Sequence, residues 1–442
     1  MKTAKIIKIG NLAIVLIAFL FALILPGVLI GAEIPSIKDV VEGKASFPTI
    51  EDLTGGKVKF GDLIDKNNVD LVKEYLTAAT YVNVKRGMVL RIVPQLSFEQ
   101  LYPETFRKVT EKNRGKAVMD KNGVVYYEKI GTIWPGGLPF PWATNGLEVM
   151  GNYTYGRIWD SYHSFPVYLW FVNAKGKLYK SVGQEHRYLK CTCRTTVPPL
   201  GAIPGYENIS IKRLSVAVSP LEIKGLGQFT VRYYNQEKDY DTGFAYLPAF
   251  KRTIRISTTT WQDNIAGSDL TYGDGDIFQE PYVDWDLNLK EKKYILLPSP
   301  VHSFPIFDKK RKINDKLQFT VGKKYPCVDW AILPVDVVEA IPKFSHVYGK
   351  RVVYSPIYPY LFSSSGLQSS DLYDRQMKLW KGIIIGNSRR VYDGTPQTEY
   401  DAFWVYDLQT GHSSLMWNHQ EVNVPWNPEQ DISLGALLKV GR

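Results

Sequence analysis

Cysteine is scarce in this chain. Its 442 residues hold three, Cys191, Cys193 and Cys327. That excludes a disulfide-stapled scaffold, and a thiolate metal centre would need more ligands than these. In Cys191-Thr192-Cys193 both thiols fall on one face of an extended strand, a placement that hardly permits a direct bond. In an oxidising compartment one of them could join Cys327; one disulfide or none is expected. Histidine is equally thin: His163, His186, His302, His346, His412 and His419 are scattered, with no zinc-type spacing. No G-x-S-x-G elbow occurs, Ser363 to Gly366 reads as loop, and no glycine-rich phosphate loop precedes a helix. No repeat of fixed period is present, which disfavours a propeller or solenoid. The net charge is +10, yet no basic run resembles a nucleic-acid stripe, so nucleic acid is not an expected partner. Nothing implies a cofactor.

What is present in quantity is aromatic and apolar. Hydrophobic residues make up 45%, charged residues 22% and aromatics 13%, with 28 Tyr and 11 Trp. That is a globular chain with a sizeable core, rich in side chains that suit sheets and amphipathic cavities. Lys2, Lys5 and Lys8 contribute three of the excess positive charges and lead into the apolar run Leu12 to Leu25. Pro26-Gly27 then breaks the run, and Gly31-Ala32 offers small residues before Glu33. Residues 1–32 thus have the layout of a secretory signal peptide, with an uncleaved anchor as the alternative; both export the remainder.

Residues 33–122 form the most helical part. Val69, Val72, Leu76 and Ala79 recur at helical spacing within Asn68 to Tyr81. A capping-box pattern at Ser97 to Gln100 starts a second expected helix that runs to Asn113, interrupted early by Pro103. From about Val124 the period becomes two. Strands are expected at 166–173, 178–180, 186–195, 211–220, 228–235, 282–293, 330–341, 351–354, 379–386 and 403–407, with a short helix at 144–155. Gly243 to Asp263 reads as a hairpin turning at Pro248-Ala249, one face greasy and one basic. Many antiparallel strands with a few helices give an α+β class built on one large curved sheet, residues 123–442, on which 33–122 packs.

Several stretches, in order, resemble a known family. These are Gly137–Pro141 (GLPFP), Gly243–Ser257 (GFAYLPAFKRTIRIS), Gly267–Phe278 (GSDLTYGDGDIF), Pro281–Pro298 (PYVDWDLNLKEKKYILLP), Lys350–Tyr354, Leu379–Lys381 and Trp404–Gly411. Together they are similar to the bacterial family called domain of unknown function 1329, over roughly residues 60–440. The pattern also looks like the wider superfamily of Lol lipoprotein carriers and outer-membrane lipoprotein-sorting proteins. The resemblance implies an open, strongly curved antiparallel half-barrel whose open side is closed by helices. It implies a cavity for an acyl chain or other hydrophobic ligand, and a place in the periplasm or at the outer membrane. It also implies partnership with a transporter of the resistance-nodulation-division type and an outer-membrane protein.

On that resemblance the expected ligand-binding residues are Tyr168, Trp170, Phe244, Tyr246, Ile254, Ile256 and Trp261, with Arg252 and Arg255 at the rim. The bland reading is that each aromatic fills a solid core. Asp269, Asp274 and Asp276 could hold Ca²⁺, or belong to an ordinary turn. Asp284 and Asp286 flank Trp285 on one strand face; with the other three they supply the carboxylates for an alternative reading, a secreted carbohydrate-active hydrolase. A structural envelope protein with a filled core is the third. The leading expectation is a non-enzymatic, exported lipid-binding or lipid-carrying protein.

Overall fold

The computed structural model describes residues 34–35, 39, 46–96, 102–236, 241–256, 260–299, 319–320, 324–326, 328–357, 367–392 and 395–440. The expected leader at 1–32 therefore lies outside the described residues, as do Ser97–Gln100 and Cys327. The chain divides into two compact units, Met1–Pro48 and Thr49–Arg442. The sheet and the cavity belong to the second.

Fifteen strands form one open, mostly antiparallel sheet. The short β1 (Leu63–Ile64) and β2 (Leu90–Ile92) come first. Then follow β3 (Ser161–Val172), β4 (Leu178–Lys190), β5 (Ile209–Ser219), β6 (Gly227–Tyr233), β7 (Thr242–Leu247) and β8 (Arg252–Ile256). The second run is β9 (Trp285–Pro298), β10 (Asp329–Pro342), β11 (Lys350–Pro356), β12 (Ser369–Tyr373), β13 (Leu379–Tyr392), β14 (Thr395–Asp407) and β15 (Ser413–Val422). Each run is a meander of neighbours, and the pairing of β15 with β3 joins them. The exception to antiparallel pairing is a two-residue parallel contact of β2 with β10. The class is α+β.

Helices are few. They are α1 (Ile50–Leu53), α2 (Ala78–Lys85), α3 (Glu104–Asn113), α4 (Gly146–Tyr155) and α5 (Leu434–Val440). The stretch Asn68–Tyr81 is not one helix. A 3-10 segment at Val69–Tyr75 ends in extended Leu76, and the Thr77 side chain caps Thr80 to start α2 afresh. Pro103, with no N–H to give, stands just ahead of α3. α4 forms where expected, capped by Asn145, and lies against β9 because Gly146 lets the backbones approach: a Cβ there would sit 2.5 Å from the Leu287 carbonyl oxygen.

Cys191 and Cys193 are free and buried, but not on a shared face. Cys193 adopts φ 57°, so Cys191 packs under α5 while Cys193 faces Trp134 and Tyr234.

The topology poses one problem. β8 ends at one margin of the sheet, while β9 pairs with β10 near the other. The chain between them must cross the sheet's width. Long side chains from the strands tie it down on the way. Lys180 of β4 donates to the Ala266 carbonyl at 2.7 Å, Lys381 of β13 to Asp269 O at 2.6 Å, and Arg232 of β6 to Gln279 O at 2.6 Å. Ser414 of β15 donates to the Asp269 carboxylate at 2.8 Å.

Arg351 of β11 is the deepest of these anchors, 0% exposed. It pairs with Asp274 at 2.9 Å and Glu280 at 3.5 Å and donates to the Ile277 carbonyl. Phe278, Trp285 and Tyr348 rings enclose its guanidinium at 4.9, 5.7 and 5.3 Å. Asp274 also accepts from Thr271 N at 2.9 Å and the Tyr348 hydroxyl at 2.7 Å, and His346 lies 3.1 Å from Glu280. Gly273 has no room for a side chain, since a Cβ would meet Glu280 at 2.2 Å. Replacing Arg351 by Met leaves two carboxylates buried without their cation. The expected loss is about 3–5 kcal/mol in urea unfolding, and Asp274→Asn with Glu280→Gln in the same chain should recover a substantial part. A loss under about 1 kcal/mol would show that the crossover is held by other means.

Candidate functional site

Beneath the crossover lies a cavity of about 490 Å³, within the range of small-molecule sites. Its floor is the half of the sheet from β14 to the marginal β8, and strand register sorts that floor into bands. Gln420, Ser164, His186, Ser215 and Gln228 stand side by side across β15, β3, β4, β5 and β6. Farther along the same strands, Phe403, Met416, Leu169 and Val182 form an apolar row across β14, β15, β3 and β4. Ile223, Leu226, Ile265 and Leu270 add to the apolar lining, while Ile256, in register with Gly243, Thr230 and Arg213, stands toward the polar end. One end is therefore greasy and the other polar.

Two face changes produce this. A bulge in β3 between Ser164 and Val167 inverts its alternation, so Ser164 and Leu169 reach the same cavity although their positions differ by an odd step. Tyr168 and Trp170 consequently point the other way from Leu169. In the hairpin, Phe244 pairs with Arg255 and Tyr246 with Thr253, whereas Gly243 pairs with Ile256 and Ala245 with Ile254. Phe244 and Tyr246 pack under α5, and it is Gly243, Ala245 and Ile256 that line the cavity. The expectation of Phe244, Tyr246, Ile254 and Ile256 on one inward face is thus split between the two faces by register. Trp261 lines the cavity, with Arg232 5.6 Å from its ring. Ile254, Arg252 and Arg255 are exposed on β8, the strand at the sheet margin.

The charged groups at the polar end escaped the sequence reading as a set. Asp276 hangs from the crossover at φ 46°. Its Oδ2 receives Gln279 at 3.0 Å, Arg157 at 3.3 Å and Arg213 at 3.5 Å. Burial opposes ionisation of Asp276, but the two guanidiniums outweigh it and hold its carboxyl below the usual carboxylate range. Tyr162 and Tyr188 stack at 4.7 Å, and Arg157 lies over the Tyr153 ring at 4.7 Å. Arg232 and Asp241 pair at 2.9 Å. One sequence signal was available: β4 reads Gln184-Glu185-His186-Arg187, polar on both faces, which an ordinary half-buried strand is not.

The five acids named for metal or hydrolysis go to separate surroundings. Asp274 serves Arg351, Asp269 bonds Ser414, and Asp286 lies 3.7 Å from Lys343. Burial raises the Asp269 and Asp284 carboxyls above their usual range, but neither lines the cavity; Asp276, which does, is lowered. A general acid needs a raised pKa facing the substrate. No His/Cys/Asp/Glu group suited to a metal occurs among the described residues.

Residues 63–435 match the family described as "Protein of unknown function (DUF1329)". No curated protein matches. Solved structures show weak similarity. One is described as an outer membrane lipoprotein-sorting protein domain from Vibrio parahaemolyticus, at 18% identity and TM-score 0.44, covering 66% of this chain and 98% of that one. Another is a DUF1329 family protein from Desulfovibrio piger, at 15% and 0.42, covering 63% and 92%. A third is a LolA superfamily protein from Nitrosomonas europaea, at 11% and 0.38, covering 66% and 99%.

Burial pushes the His186 imidazole down to about 4, and Gln184 Oε1 holds its Nε2 at 2.7 Å. An unfolded-chain histidine protonates near 6.5, so between roughly pH 6.5 and 4 the unfolded state binds more protons. Stability should accordingly fall as pH is lowered through that window. His186→Gln should flatten that part of the Tm-against-pH curve. An imidazole midpoint near 6.5 by NMR would contradict the buried, neutral assignment.

Proposed function

The chain belongs to the DUF1329 family, and from that premise we propose that it is a non-enzymatic carrier in the cell envelope for a hydrophobic or amphiphilic lipid. The observation behind this reading is the cavity's division into an apolar row and a polar band along the same strands. An amphiphile laid along β3 and β4 would match both ends at once. Apolar burial at ~0.8 kcal/mol per CH₂ makes ten methylenes worth roughly 8 kcal/mol gross, ample for reversible capture. The basic and apolar N-terminal stretch supports export.

Exposed apolar residues at one end of the sheet support exchange at a membrane. Register carries the tips after β5 and β7 to the end of the sheet beyond Val182. There Leu221 is 82% exposed and Phe250 68%, beside Lys224, Lys251 and Arg252. An envelope transporter as the protein partner rests on the family resemblance alone.

Full-length protein purified without detergent should release a stoichiometric single-chain lipid into organic solvent, read by mass spectrometry. Ala217→Trp fills the apolar end and should reduce the recovered lipid at least about tenfold, with Tm within a few degrees of the parent. Protein that is empty, and that binds no neutral apolar dye, would sink the carrier reading.

A further inference from the structure

The polar end of the cavity is not electrically balanced. Three cations, Arg157, Arg213 and Arg232, gather around two anions, Asp241 and Asp276. Arg232 and Asp241 satisfy each other at 2.9 Å, leaving two guanidiniums on one oxygen of Asp276 at the long distances of 3.3 and 3.5 Å. His186 is neutral here and compensates neither. Glu185, its neighbour, faces the other way and is engaged by His163 and Arg187. Among the described residues the site thus carries one uncompensated positive charge, in a place where an unpaired charge is expensive.

Unused hydrogen-bonding donors line the same cavity. Arg213 Nε is buried without an acceptor. Ser164 Oγ, from a residue 1% exposed that lines the cavity, also lacks a partner. Buried donors without acceptors, Arg213 Nε and Ser164 Oγ, beside a surplus guanidinium make an anion site.

We infer that this end recognises the head of a long-chain carboxylate, a single negative charge received by Arg213 and Ser164, with the alkyl chain on the Leu169 and Val182 row. The inference rests on the carrier reading and specifies its ligand class. The charge count selects a monoanion over a phosphomonoester. The volume of about 490 Å³ suits one alkyl chain rather than a diacyl lipid.

The test is displacement of a neutral naphthylamine dye from the full-length protein by tetradecanoate and by tetradecan-1-ol. A charge-assisted hydrogen bond adds about 1.5–3 kcal/mol, so the acid should displace at a concentration about tenfold or more below the alcohol. Arg213→Gln should bring the two within about twofold while leaving the alcohol unchanged. Ser164→Val, which keeps the charge, should weaken the acid alone by a few-fold and stands in if Arg213→Gln does not fold. Equal displacement by acid and alcohol in the parent protein overturns the head-group assignment and leaves the carrier reading standing. Protein that releases no lipid on extraction and binds no dye overturns both.

Discussion

The buried contact of Arg351 with Asp274 and Glu280 is what allows the chain to cross its own sheet. Two meanders joined by β15 and β3 leave the end of β8 and the start of β9 on different margins. The linking segment is irregular backbone over an apolar face, and its carbonyls have no ladder to enter. The sheet answers with cations on long stems. Arg351 reaches the Ile277 carbonyl, Lys381 that of Asp269, Lys180 that of Ala266 and Arg232 that of Gln279. At Arg351 the head meets a buried carbonyl, so that polar group of the crossing is met without water, whereas Lys180 holds its carbonyl at the surface.

An apolar strap could lie on the same face, and burying charge is a costly way to hold a loop. Well-packed hydrophobic replacements of buried ion pairs are often neutral or stabilising. What the charges add here is position. A guanidinium enclosed by three rings and bonded to two carboxylates and a carbonyl permits one arrangement of Gly273 to Glu280. That arrangement holds Asp276 and Ile277 at φ 46° and 80°. A buried β-branched residue at φ 80° is a strained conformation that persists only when its surroundings over-determine it. The strain sits where the crossover meets the cavity.

Much of the sheet was legible in the chain. Period-two runs marked most strands, the Pro248-Ala249 turn lies between β7 and β8, and Asn145 capped the helix expected at 144–155. Faces were not legible, because a face depends on every residue in the count. The β3 bulge between Ser164 and Val167 reverses parity within one strand, and nothing in the alternation alone locates it. In the hairpin, size misled: Phe244 and Tyr246 are the large residues, so they draw the eye to the face under α5, while the cavity is made by what is small, Gly243 and Ala245. A cavity is written in the sequence as missing volume, which a search for aromatics passes over. Charge partners were equally hidden, since Asp274 meets Arg351, and Asp276 meets Arg157 and Arg213, only through the fold. The family motifs did carry the information in another form. The Gly267–Phe278, Pro281–Pro298, Lys350–Tyr354 and Leu379–Lys381 stretches supply Asp274, Trp285, Arg351 and Lys381, which converge under the crossover.

Asp274 and Asp276 therefore divide between them the two tasks of the crossover. They stand two residues apart, and an extended chain would put them on one face. The left-handed turn at Asp276 separates them. Asp274 goes down to Arg351 and is fully occupied: both oxygens are bonded, and the residue is 0% exposed. Asp276 turns toward the cavity and is bonded through Oδ2 to two cations that it cannot neutralise together. The first carboxylate closes an account within the fold. The second leaves a charge open at the wall of a cavity whose other end is apolar. A crossover held by the first can keep the second in place whether or not the cavity is filled, because Arg351, Asp274 and Glu280 stand outside the cavity lining.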